Sequence, residues 1–155
     1  NVFQFAKKME IDGKKLYQDA LEATTNPGVR SILEMLIGQE QRHFDLFDAM
    51  EKAMSPEELS KASFSGVKNI FASIQQDELP TDQVEMYKKI LEIEHKSEDF
   101  YREHAREQEK LIRDQMELIA DEEQKHAIII HNLIRMIERP DTWVEDAEFN
   151  NLEEY

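Results

Sequence analysis

Residues 116–133 read M-E-L-I-A-D-E-E-Q-K-H-A-I-I-I-H-N-L. Large apolar residues recur in this segment at alternating steps of three and four, the spacing of a helix face that packs into a bundle core. Glu123 and His126 interrupt this face, so a Glu-x-x-His pair occupies positions otherwise filled by large apolar side chains. The full face consists of Ile112, Met116, Ile119, Glu123, His126, Ile130, Leu133 and Ile137.

Three other segments place acidic residues on the same kind of face. In the second long segment, Glu40 and His43 form another Glu-x-x-His pair among Leu33, Leu36, Phe47 and Met50. In the third, Glu94 and Glu98 share a face with Val84, Tyr87, Leu91, Tyr101 and Ala105. In the first, Glu10 shares one with Ala6, Met9, Gly13, Tyr17 and Ala20.

The two halves of the chain repeat this pattern almost in register. The separation from Glu10 to Glu40 exceeds that from Glu94 to Glu123 by a single residue. Tyr17 lies two helical turns after Glu10, as a second tyrosine, Tyr101, does after Glu94. We therefore expect two matching helical hairpins, with both phenols directed towards the acidic residues.

The periodicity predicts an all-α, ferritin-like four-helix bundle with one long crossover between the second and third long helices. Residues 25–28 are strong turn formers between the first two long segments, and Pro140 ends the last one. A short loop, a long crossover and a second short loop are typical of the ferritin-like topology. The predicted long helices are Phe3–Thr24, Val29–Met50, Thr81–Glu107 and Lys110–Arg139.

The crossover, at about residues 51–80, is itself expected to be folded. Ser55, Pro56 and Glu58 have the pattern of a helix start, and the apolar residues of 67–74 predict another amphipathic turn or two. We expect one bundle domain over residues 1–139 and an acidic tail over residues 140–155. The tail carries three possible anchors, Trp143, Phe149 and Tyr155.

Composition narrows the possible partners. A formal net charge of −15 disfavours nucleic acid and anionic membranes, and it favours cations. The sequence has no apolar run long enough to span a bilayer and no apolar run at its start, so we expect a cytoplasmic protein. The absence of cysteine excludes thiolate sites from these 155 residues, and any metal must be held by oxygen and nitrogen.

The buried acidic residues predict a two-metal site. Unpaired carboxylates in an apolar core cost several kcal/mol each, and converging ones also repel one another. Two divalent cations would balance four carboxylates, and each imidazole would add a neutral nitrogen ligand. One Glu from each of two helices and Glu-x-x-His from each of two others is the ligand pattern of di-iron and di-manganese bundles. The predicted ligands are Glu10, Glu40, His43, Glu94, Glu123 and His126.

Four motifs in these segments resemble the rubrerythrin-like branch of ferritin-like proteins. They are M-E-I-D-G-K-K-L-Y at 9–17, E-Q-R-H at 40–43, I-E-H-K-S-E-D-F-Y at 93–101 and E-Q-K-H at 123–126. The resemblance implies that Glu40 and Glu123 bridge the two metals, that Glu10 and Glu94 are terminal ligands, and that each histidine caps one ion. It also implies two iron ions, a homodimer, and reduction of hydrogen peroxide or oxidation of ferrous iron by peroxide or dioxygen.

The sequence departs from the rubrerythrin pattern in two respects. Rubrerythrins resemble a bundle fused to a cysteine-ligated rubredoxin domain, whereas this sequence has no cysteine, so electrons would come from a separate donor protein. Rubrerythrins also typically have a further Glu one turn after the ligand in the third helix. Here Ser97 stands at that position and Glu98 follows it, which argues against the ligand switching of the peroxidases. We therefore leave Glu98 outside the ligand set.

Several alternatives stay open from the sequence. Manganese or zinc also suits an oxygen-rich site with imidazole. Tyr17 and Tyr101 are expected to hydrogen-bond the ligand carboxylates, although aromatic residues also simply fill bundle cores. Two alternative functions are iron binding or storage without turnover, and a structural helical module whose acidic residues are hydrated or paired with Lys and Arg.

Overall fold

The computed structural model describes residues 1–52, 64, 66–74 and 79–143. Within these residues the secondary structure is entirely helical, which confirms the all-α bundle predicted from the periodicity. The helices are α1 (Val2–Ala23), α2 (Pro27–Glu51), α3 (Val67–Ser73), α4 (Val84–Ala105) and α5 (Lys110–Glu138). None of the helices in these ranges is both long and apolar enough to cross a bilayer.

The four long helices form two hairpins that pack against each other. α1 packs along α2 and α4 along α5, while α1 also contacts α4 and α2 contacts α5. Hydrogen bonds between side chains and the backbone stabilise the turn between α1 and α2. The Asn26 side chain accepts a hydrogen bond from the backbone of Val29, and Arg30 donates to the carbonyls of Leu21 and Thr24 at 2.7 and 2.9 Å. These bonds satisfy backbone groups that a helix end leaves open.

The third long helix begins three residues later than predicted. Thr81–Gln83 forms a single 3₁₀ turn, and α4 starts at Val84. The Gln83 side chain donates to the carbonyl of Ala23 at the end of α1, so this turn contacts the first hairpin. α4 also ends at Ala105, two residues before the predicted limit, and the other long helices match their predicted bounds to within two residues.

The crossover packs onto the bundle where it is described. α3 confirms the predicted amphipathic turns, and its Phe71 is fully buried. Trp143 is 7% exposed, with its ring centroid 5.8 Å from that of Phe71, so this first candidate anchor of the tail does pack onto the bundle. The predicted helix start at residues 55–58 and the anchors Phe149 and Tyr155 lie outside the described residues.

The apolar core consists of two clusters. One surrounds Leu33, Leu36 and Ile130 and includes the buried residues of the crossover. The other lies at the opposite end of the bundle around Phe47 and Met116. The acidic residues singled out in the sequence belong to neither cluster, so a polar layer separates two apolar regions.

Truncating a buried leucine should weaken the fold far more than truncating an exposed one. Leu36 is fully buried, whereas Leu111 is 53% exposed. We expect Leu36→Ala to lower the free energy of unfolding by about 2–5 kcal/mol, and Leu111→Ala to change it by less than about 0.5 kcal/mol. Urea unfolding followed by circular dichroism measures both. Equal losses in the two variants would contradict the packing described here.

Candidate metal centre

All six predicted ligands meet in the polar layer. Their ligand atoms fall into two groups in which the atoms lie within 4.8 Å of one another. One group is Glu10, Glu40, His43 and Glu123, and the other is Glu40, Glu94, Glu123 and His126. Every member is at most 3% exposed. Glu40 and Glu123 therefore belong to both groups, while each remaining carboxylate and each histidine belongs to one.

The histidines connect the two hairpins. Nδ1 of His43 on α2 lies 2.8 Å from Oε1 of Glu123 on α5, and Nδ1 of His126 on α5 lies 3.0 Å from Oε1 of Glu40 on α2. The two rings are stacked with their centroids 5.8 Å apart. In both cases Nδ1 is the nitrogen that faces the carboxylates of the two groups.

The carboxylates of Glu10 and Glu94 are held by reciprocal hydrogen bonds between α1 and α4. Tyr17 on α1 donates to Oε1 of Glu94 on α4, and Tyr101 on α4 donates to Oε1 of Glu10 on α1, both at 2.7 Å. Each tyrosine lies two turns after the glutamate of its own helix. Because each phenol reaches the glutamate of the other helix, α1 and α4 must run antiparallel. The predicted hydrogen bonds from the two tyrosines to these carboxylates are thus present, and each joins one hairpin to the other.

Gly13 makes room for one of the shared carboxylates. A Cβ atom at this position would lie 3.0 Å from Oε2 of Glu40 and 3.8 Å from a methyl group of Ile93. The contact with Glu40 is shorter than ordinary van der Waals distance, so a side chain at this position would push the Glu40 carboxylate away from the centre. A glycine on the buried face of α1 therefore allows the helix to approach the cluster closely.

Burial and mutual repulsion divide the four carboxyl groups into two kinds. Burial and the charges of Glu10 and Glu123 raise the pKa of Glu40 well above its usual range. Burial and the charges of Glu10 and Glu94 do the same for the pKa of Glu123. Burial opposes ionisation of Glu10 as well, but its contacts with Glu40 and His43 lower its pKa to about 2. Burial likewise opposes ionisation of Glu94, but its contacts with Glu123 and His126 lower its pKa.

Both imidazoles favour the charged form when no metal is present. Burial opposes the charge on His43, yet its contacts with Glu10, Glu122 and Glu123 raise its pKa well above the ordinary value. Burial likewise opposes the charge on His126, but its contacts with Glu123 and Glu94 raise its pKa to about 10. In the metal-free chain, protons on the shared carboxyls and on the imidazoles therefore balance the charge of the centre.

The donor set fits divalent cations. Oε2 of Glu10, Oε2 of Glu94 and Oε2 of Glu123 are buried and have no hydrogen-bond partner within the described part of the chain. Buried carboxylate oxygens are normally satisfied, so oxygens that converge without donors indicate a missing positive ligand. The oxygen and imidazole donors suit iron, manganese or zinc. These buried groups can therefore hold metal ions.

Glu98 lies outside both groups. Its Oε2 accepts a hydrogen bond at 2.9 Å from Nε of Arg102, which also pairs with Asp121. The Glu98 side chain is 15% exposed and sits in a surface ion-pair network. Ser97, not Glu98, is the buried residue one turn after Glu94.

Sequence reasoning missed the residues that contact the outer nitrogens of the two histidines. Oε1 of Glu122 lies 3.6 Å from Nε2 of His43, and Oε1 of Gln39 contacts Nε2 of His126 directly. Arg42 donates to the same Glu122 oxygen at 2.9 Å. Gln39 and Glu122 each precede the glutamate of a Glu-x-x-His motif. That shared position in the internal repeat was the signal available in the sequence.

Comparison of the chain with known protein families, with curated protein sequences and with solved structures found no match.

The metal-free protein should lose stability as the pH rises from about 6.5 to about 10. His126 has an ordinary pKa of 6.5 and a folded pKa of about 10. Its protonation therefore stabilises the folded state fully below pH 6.5, and this contribution disappears as the pH rises through the folded value. The raised pKa values of Glu40 and Glu123 act with the same sign. Urea unfolding in the presence of a chelator, measured across this pH range, gives the slope of the free energy of unfolding against pH.

A histidine pair supplies the control for this prediction. His126→Gln should flatten the slope, whereas His131→Gln, at an exposed position, should retain it. Equal slopes in the parent and in His126→Gln would show that the buried imidazole does not carry the effect. Because ligands lose their protons when a metal binds, added divalent metal should also reduce the slope of the parent.

Proposed function

We propose that this chain is a di-iron carboxylate protein that reduces hydrogen peroxide or dioxygen. The observation that carries the proposal is the pair of four-residue groups that share Glu40 and Glu123. Four carboxylates match the charge of two divalent ions, and one imidazole is available to each. The likeness of the four motifs to rubrerythrins supports the same assignment.

The shared carboxylates suit a bridging role. Glu40 and Glu123 are on α2 and α5, the two helices that also supply the histidines. Because each of these glutamates belongs to both groups, each can reach both metal positions. Glu10 and Glu94 each belong to one group and suit terminal ligation. In this arrangement His43 would cap one ion and His126 the other. Iron is preferred over zinc because the proposed reaction needs a metal that changes its oxidation state, a requirement that manganese also meets.

The tyrosines would keep the terminal carboxylates in place. Burial and the charge of Glu94 raise the pKa of Tyr17 well above its usual range, and burial and the charge of Glu10 do so for Tyr101. Both phenols thus stay protonated and continue to donate to Glu94 and Glu10. Each donation occupies one carboxylate oxygen and leaves the other, which has no donor within the described residues, directed at the centre.

Burial of the centre favours small oxidants. Both histidines are fully buried, and apolar clusters lie on both sides of the polar layer. Two bound ferrous ions would supply the two electrons that, with two protons, convert one hydrogen peroxide into two water molecules. Because these 155 residues contain no cysteine, we propose that the electrons are returned by a donor outside them.

Metal content tests the proposal. After anaerobic loading with ferrous iron and desalting, we expect about two irons per chain in the parent. Glu40→Ala removes a carboxylate common to both groups and should lose most of this iron. Glu98→Ala removes a glutamate near the centre that belongs to neither group, so it should retain the parent's content. Elemental analysis of the three proteins gives the answer.

The outcomes also separate the alternatives. Retention of two irons with steady consumption of peroxide in the presence of a reductant supports turnover, whereas retention with a single round of oxidation would indicate iron binding or storage. A structural module is indicated if the parent retains no iron. The same reading follows if Glu40→Ala/Glu123→Ala is more stable than the parent and binds as much metal.

A further inference from the structure

The two Glu-x-x-His motifs differ at the residue that precedes them. Residues 39–43 read Q-E-Q-R-H and residues 122–126 read E-E-Q-K-H. The ligands themselves are the same in both motifs. The preceding residue is neutral in one and acidic in the other, and each contacts the histidine of the opposite motif.

On the His43 side, the outer nitrogen faces a buried carboxylate. Nε2 of His43 lies 3.6 Å from Oε1 of Glu122, whose side chain is 3% exposed. Arg42 holds that oxygen at 2.9 Å. Nε2 of His43 and Oε2 of Glu122 have no hydrogen-bond partner within the described residues. Because a carboxylate oxygen can accept more than one hydrogen bond, Oε1 of Glu122 can accept from Nε2 of His43 while it keeps its bond with Arg42.

On the His126 side, the outer nitrogen faces an amide. Oε1 of Gln39 is in direct contact with Nε2 of His126. Phe64 from the crossover lies edge-on to the His126 ring with centroids 6.1 Å apart, and Lys125 lies over the Phe64 ring at 5.6 Å. An aromatic residue therefore borders this imidazole, and its outer acceptor carries no charge.

A charged acceptor and a neutral one should affect the bound metal differently. An acceptor on Nε2 keeps the proton there, leaves Nδ1 free to ligate and makes the imidazole a stronger donor. Carboxylate acceptors form stronger bonds of this kind than amides, and inside a protein their charge is less screened than in water. Arg42 offsets part of the charge of Glu122 but also fixes the orientation of its carboxylate.

We propose that Glu122 and Gln39 make the two metal positions unequal, so that the ion beside His43 binds more tightly than the ion beside His126. Glu122 and Gln39 act as positioning residues, since each acts through a histidine ligand. The inference rests on the proposed two-metal centre. It predicts ordered filling, with a state that holds a single ion beside His43.

Reciprocal variants test the inequality directly. Metal-free protein is titrated with cobalt(II) by calorimetry, and the cobalt absorption spectrum is recorded at each addition. The parent should bind two ions in two steps whose affinities differ by about tenfold or more. Glu122→Gln should weaken the tighter step by about 10- to 100-fold and bring the two steps together. Gln39→Glu should strengthen the weaker step instead.

Three further single variants and one double variant assign the effect to a position. Gln124→Glu changes charge at an exposed position on the same turn of α5 and should leave both steps unchanged. His126→Ala should retain the tighter step, and the retained step should still weaken when Glu122→Gln is added. His43→Ala should lose the tighter step. Thermal unfolding followed by circular dichroism establishes that each variant is folded.

Each other outcome would overturn the inference. Two equal steps in the parent, equal shifts of both steps in Glu122→Gln, or retention of the tighter step in His43→Ala would contradict the inequality while leaving the two-metal centre in place. A change in Gln124→Glu as large as that in Gln39→Glu would show that overall charge is responsible. A parent that binds no cobalt would remove the two-metal centre and the inequality together.

Discussion

The burial of four carboxylates in one layer of an apolar bundle is the constraint on which the rest of this structure depends. Removing each carboxylate from water is costly, and placing them together adds repulsion. The chain compensates with two imidazoles and two phenols directed at the same layer. Three carboxylate oxygens still have no donor among the described residues, so the hydrogen bonding of the layer is incomplete within that part of the chain.

This layer also determines how the helices are arranged. Each long helix contributes one glutamate, and the hydrogen bonds from Tyr17 and Tyr101 run between α1 and α4 in opposite directions. The contacts of His43 with Glu123 and of His126 with Glu40 likewise run between α2 and α5 in opposite directions. Such paired exchanges are satisfied only when the hairpins meet in a single register. The centre therefore specifies the packing of the bundle, and the apolar clusters on either side stabilise it.

The internal repeat makes the centre nearly symmetric, and the surroundings break the symmetry. Outside the ligands, Glu122 is acidic where Gln39 is neutral, and Arg42 pairs with a carboxylate while Lys125 lies over an aromatic ring. The crossover adds a second difference, since Phe64 borders His126. In the proposed two-metal centre, two positions with the same kinds of ligand would therefore differ in affinity because of residues that are not themselves ligands.

The sequence by itself determined the four long helices and the polar residues on their buried faces, because helical periodicity is a local property. It places Glu40 and His43 on the same face as Leu36 and Phe47, whichever helix packs against that face. It also predicted that Tyr17 and Tyr101 approach the carboxylates. It did not show which carboxylate each phenol would meet, why Gly13 lies beside Glu40, or that Gln39 and Glu122 contact the opposite histidines. Those contacts depend on the register and direction of helices far apart in the chain, which only the packing of the hairpins decides.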